Sequence, residues 1–164
     1  SSAVAAAPVQ LWQRKHGTAA WTAVGTPRAT NASGNVVWEQ KPAVNQDYQA
    51  KYAGTGGLAP SYAVKTVLVK ATVSRGATPA ALSSGRAFTV TGAVSPAHAG
   101  KQVLLQRYSS GAWHTVAKTA LNGASRYSVA YRPTTRGKLS FRVRFNGDAD
   151  HAAGDTTTFT VTVR

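Results

Sequence analysis

The sequence predicts an all-β fold of two tandem β-sandwich repeats, and three observations predict it. Apolar residues alternate with polar ones, as in Tyr127, Val129, Tyr131 and in Phe141, Val143, Phe145, which is the period of a strand with one face buried. Turn clusters such as Ser95-Pro96-Ala97-His98-Ala99-Gly100 and Asn122-Gly123-Ala124-Ser125 interrupt that pattern at the short intervals of a sandwich. Finally, the chain repeats itself in three ordered blocks, and no stretch carries a convincing helical stripe.

The blocks place the elements. Val9-Gln10-Leu11, followed by Trp21 and Val24, returns as Val103-Leu104-Leu105 followed by Trp113 and Val116. Residues 31–42 align without a gap on 122–133, and Tyr48-Gln49-Ala50-Lys51-Tyr52-Ala53-Gly54 aligns on Phe141-Arg142-Val143-Arg144-Phe145-Asn146-Gly147. In the second repeat the strands are expected at 72–75 and 86–94, ahead of the first block. Next come 102–108 and 112–120 within it, 126–132 in the second block, 138–146 in the third, and 157–163 to close. Thirty-one residues, 72–102, precede Val103, whereas eight precede Val9. The expected division is therefore a first repeat over 1–71 that lacks its opening strands and a complete repeat over 72–164.

Composition narrows the chemistry. The 164 residues include no Cys and no Met, which excludes disulfides and Cys-based zinc or redox sites. No apolar run approaches the roughly 20 residues needed to span a bilayer. Nineteen Lys and Arg against five acids give a formal charge of +14, which predicts attraction to polyanions. Up to Ala71 there are seven bases against two acids, and beyond it twelve against three, so the second repeat carries the larger share.

Candidates for chemistry are few. No His-Glu-x-x-His, Gly-x-Ser-x-Gly or phosphate-loop pattern occurs, and the chain is expected not to be an enzyme. Asp148-Ala149-Asp150-His151 with Asp155 is an oxygen-rich stretch, a weak metal candidate at Asp148, Asp150 and Asp155. The aligned loop of the first repeat reads Thr55-Gly56-Gly57-Leu58-Ala59-Pro60, so neither a metal nor any other cofactor is expected. Arg142 and Arg144 point outward from one strand and are expected to join Arg126 or Arg132 on a neighbouring strand in a polyanion-binding face. Trp21 and Trp113 recur at matched positions and are expected in the core. Trp12 and Trp38 have no aromatic counterpart and are candidates for ligand or interface contact. Asn31-Ala32-Ser33 matches the glycosylation pattern but is too short to carry a role.

Gly100-Lys101-Gln102-Val103-Leu104-Leu105-Gln106-Arg107, Trp113-His114-Thr115-Val116 and 145–153 (Phe-Asn-Gly-Asp-Ala-Asp-His-Ala-Ala) resemble bacterial Ig-like repeats of secreted and wall-associated, actinobacterial-type proteins. The resemblance covers the chain from Val9 to Arg164 and implies Ig-like sandwiches. It also implies a secreted, cell-surface location and a non-catalytic stalk, spacer, adhesive or fibre-forming role. The alternative it leaves open is a polyanion- or polysaccharide-binding accessory module of a cell-wall hydrolase. Expected partners are anionic wall polymers and, for the first repeat, a strand-donating copy or an upstream domain.

Overall fold

Residues 4–164 are described by the structure, a computed structural model, and their regular elements are all strands. In chain order these are β1 (Pro8–Lys15), β2 (Thr22–Ala29), β3 (Gln46–Tyr52), β4 (Ser61–Val67), β5 (Thr72–Arg75), β6 (Ala81–Leu82), β7 (Phe88–Ser95), β8 (Gln102–Ser109), β9 (Ala112–Ala120), β10 (Arg126–Tyr131), β11 (Gly137–Gly147), β12 (Ala152–Asp155) and β13 (Phe159–Val163). The chain packs as two units, one of Ser1–Val69 with Ala149–His151 and one of Lys70–Asp148 with Ala152–Arg164.

The second unit is a two-layer, Ig-like sandwich. One layer is β10-β7-β5. The other is β6-β13-β11-β8-β9, with β12 beside β11. Val73, Phe88, Val90, Val94, Tyr127 and Val129 from the first layer close on Val103, Leu105, Phe141, Val143, Phe145, Phe159 and Val161 from the second. The ring of Phe141 lies between the layers, 5.4 Å from Phe88 and 5.7 Å from Phe159 between centroids. All seven expected strands of this repeat form. Two short strands, β6 and β12, were not foreseen.

The first unit holds a single antiparallel sheet, β2-β1-β3-β4. Its order reproduces β9-β8-β11-β13 of the second unit, strand for strand. Val9, Leu11 and Tyr48 are buried on one face of it, at the places of Val103, Leu105 and Phe141. The turns after β2 and β9 are also alike at the level of single hydrogen bonds. The Asn31 side-chain oxygen accepts from the backbone N–H of Ser33 and Asn35, both at 2.9 Å. The Asn122 oxygen accepts from Ala124 and Arg126 at 3.0 and 2.9 Å. The residue that must turn left-handed is Gly34 (φ 75°) in one and Ser125 (φ 54°) in the other. An Asn side chain that stands in for a backbone acceptor is a local device for reversing the chain, and here it has been copied with the fold.

The first repeat departs from the second just beyond that turn. Residues 126–131 form β10 by pairing with β7 along six positions. Residues 35–40 align with them yet form no strand. A strand needs a ladder partner to satisfy its N–H and C=O groups, and among the described residues the first unit has no counterpart of β7.

Candidate functional site

On β11, Phe141, Val143 and Phe145 face the core, so Arg142 and Arg144 stand on the opposite, outward surface. Register sets their neighbours: Arg142 lies opposite Gln106 of β8, and Arg144 lies between Leu104 of β8 and Asp155 of β12. The Arg142 guanidinium sits 4.5 Å above the Trp113 ring of β9. It donates from Nε to the Gln106 side-chain oxygen at 2.9 Å and approaches Asp155 at 3.6 Å. Arg144 donates from one nitrogen to both Asp155 oxygens, at 3.2 and 3.1 Å. Tyr108, 48% exposed, packs its ring 5.2 Å from Trp113. The result is a Tyr–Trp–Arg stack open to solvent, with two cations shared by one carboxylate. Such a surface offers π faces and one unneutralised positive charge, suited to stacking on a sugar ring or to an anionic group.

The expected face joining Arg142 and Arg144 to Arg126 or Arg132 on a neighbouring strand does not form, because the sandwich separates them. Arg126 opens β10, and β10 pairs with β7 in the layer opposite β11. Arg126 borders a shallow hollow of about 510 Å³ with Arg75, Thr91, Gly92 and Tyr127. Arg132 follows β10 and is exposed. Among the described residues neither makes an ion pair. In the same hollow, burial pushes the Tyr127 hydroxyl up to about 12 against the opposing pull of the Arg75 charge. That hydroxyl donates to the Ser74 carbonyl at 2.8 Å.

The aspartate trio is likewise not a cluster. Asp148 meets the Nδ1 of buried His98 at 3.0 Å, Asp150 pairs with Lys15 within the first unit, and Asp155 is held by the two arginines. Three carboxylates engaged by separate cationic or imidazole partners do not converge as ligands of one ion.

The tryptophans sort differently from expectation. Trp21 and Trp113 are half-buried outside the core, each under a guanidinium, with Arg14 4.5 Å from the Trp21 ring. Trp12 lies on the outward face of the first sheet between Ala23 and Gln49. Trp38 lies against the buried face, where it borders a hollow of about 260 Å³ with Leu11, Tyr48, Lys65 and Val67. Its indole N–H is buried without a hydrogen-bond partner.

One polar cluster has no signal in the sequence. Asp47 of β3 accepts from Arg14 at 2.9 Å and from Thr66 at 2.8 Å, and meets His16 at 2.8 Å. Burial raises its carboxyl, but the bonds from His16, Thr66 and Arg14 outweigh burial and hold it below the usual carboxylate value. His16 and Thr66 reach it only through register and the turn after β1.

No protein-family model matches the chain, and no curated protein matches it in sequence. Among solved structures it is similar to a tetra-tandem repeat in the extending region of a large adhesion protein. That match has a TM-score of 0.41 and 15% identity, and covers 98% of this chain and 43% of that one. It is also similar to the D0-D1 domain of Intimin (TM-score 0.35, 15% identity, 98% and 83% covered) and to the D00-D0 domain of Intimin (0.37, 12%, 93% and 78%). The chain thus spans less than half of the first of these. At such scores the fold assignment rests on the strand order described above.

Proposed function

We propose that the chain is a non-catalytic structural and adhesive module of an extracellular, surface-associated protein of bacterial type, built of Ig-like repeats over 1–71 and 72–164. The observation that carries this reading is that one sheet, with one Asn-centred turn, is built twice while the outward residues differ. Trp12 stands where the second copy has Gln106, and Gln49 and Lys51 stand where it has Arg142 and Arg144. A repeated scaffold with a variable surface suits spacing and display, since the buried alternation keeps the fold and leaves the outer face free to change. The charge of +14 supports contact with anionic polymers such as those of cell walls. No specific observation favours attachment to a hydrolase.

The test is retention of beads coated with the chain on a surface bearing an anionic polyol-phosphate polymer, under flow. Retention at low salt that falls steeply between about 50 and 200 mM salt is expected, because exposed Lys and Arg act by counterion release and screened attraction. Beads that wash off at every salt concentration would refute the adhesive role.

A further inference from the structure

We propose that the buried face of the first sheet is an acceptor for a two-stranded β element of the kind that β5 and β7 form in the second unit, supplied by a segment additional to the strands described here. In the second unit those strands seal the equivalent face with Val73, Phe88, Val90 and Val94, and Val90 has no exposure at all. In the first unit Trp38 and Gln40 border that face beside Leu11 and Tyr48, in the segment 36–40. Its residues keep the alternation of the missing strand, with Val36 and Trp38 half-buried and Val37 71% exposed. Among the described residues none of their N–H groups donates to another backbone group.

Two hollows border the face. One hollow, of about 260 Å³, is the one beside Leu11 and Tyr48. The other, of about 450 Å³, is bordered by Val9, Tyr52 and Leu58. The hollows are gaps in the packing over that face, and an added strand fills them while its main chain pairs with that of 36–40. The internal repeat supplies the register. Val129 pairs with Val90 in the second unit, so Trp38 faces the occupant's counterpart of Val90. Trp is far larger than Val, so that counterpart is a small residue.

The second unit of another copy is not the source. Withdrawing β5 and β7 would empty a closed core to fill a half-open one, with no net gain in buried area. The occupant is therefore an additional strand pair of the same repeat type. The inference rests on the correspondence between repeats and not on the adhesive role, so beads that fail to adhere leave it standing.

The test uses the full chain with a second copy of residues 70–98 placed directly before Ala5, Val90→Ala in the copy making room for Trp38. Amide exchange of residues 36–40 and 46–52 is then expected to slow by about 10-fold or more. A matched graft with Phe88→Asp and Val94→Asp in the copy is expected to leave it unchanged. Amides of β8 and β11 report whether the second unit has folded normally. Unchanged exchange in 36–40 with a protected second unit overturns the proposal, as does equal slowing by the aspartate graft.

Discussion

Phe141 and Tyr48 occupy one position of one sheet in two settings, and truncating each to Ala should cost different amounts. Phe141 has no exposure, and its ring meets Phe88, Tyr131 and Phe159 at 5.4, 5.9 and 5.7 Å. A buried phenyl side chain removes about 150–200 Å² from water, which at about 25 cal/mol per Å² gives an upper figure of about 4–5 kcal/mol. The cavity left between two sheets cannot collapse, so Phe141→Ala should destabilise the second unit by about 4 kcal/mol. Tyr48 is 9% exposed and already borders a hollow. Water can occupy the space its ring leaves, the cavity penalty shrinks, and Tyr48→Ala should cost the first unit about 2 kcal/mol. The assay is native-state amide exchange under increasing urea, read at Leu105 for one unit and Leu11 for the other, so that each is followed separately. Losses equal within about 0.5 kcal/mol, near the limit of such comparisons, would refute the half-sandwich reading, because both faces would then be equally closed.

Three further outcomes follow from the geometry. Asp47 titrates below its unfolded value, so its contribution is present above about pH 4 and is lost as pH falls through the lowered folded value. The first unit should therefore lose stability on acidification, and Asp47→Asn should remove that part of the loss when urea midpoints are compared from pH 6 to 2.5. Gly92→Ala should cost roughly 2 kcal/mol or more in urea unfolding, since a Cβ there would lie 2.0 Å from the Ser74 carbonyl and 2.6 Å from the Tyr127 ring. Gly123→Ala, with nothing within 4 Å of the added carbon, should change little in the same assay. Asn122→Ala strips the acceptor from the Ala124 and Arg126 N–H groups and should lower the midpoint by the equivalent of about 1 kcal/mol, with Asn31→Ala doing the same in the first unit.

The parts legible in the sequence are those that local pattern determines. Alternation located the seven main strands of the second repeat, and the three aligned blocks exposed the duplication that the Asn31 and Asn122 turns then matched bond for bond. The two-residue β6 and the four-residue β12 escaped because a period of two cannot be read over so short a run. Alternation also tells which side of a strand faces inward but not which sheet the strand joins. Arg126 was therefore correctly expected to face outward and wrongly grouped with Arg142. Trp21 and Trp113 matched each other in sequence because each covers a half-buried outer position under a guanidinium, a recurrence that looks the same as a shared core residue. The Asp47 cluster was invisible for a related reason, since its partners come from two segments far from it in sequence, Arg14 with His16 and Thr66.

The short β6 matters most when the protein is pulled. It runs parallel to β13, pairing Ala81 with Thr162 and Leu82 with Val163. The Thr162 N–H donates to Ala80, the Arg164 N–H to Leu82 and the Ser84 N–H to Arg164, at 2.8 to 3.0 Å. Tension applied at the two ends of the second repeat draws β6 toward its N-terminal end and β13 toward its C-terminal end. The two strands are thus loaded along their length, in shear. The bonds between them share the force and fail together, whereas a hairpin opened at its ends releases its bonds one by one. Lifetime under load is set by the unfolding rate and not by equilibrium stability. Under a pull between those two ends, the three bonds that tie this two-residue strand to its neighbour are thus loaded together before the strands can part.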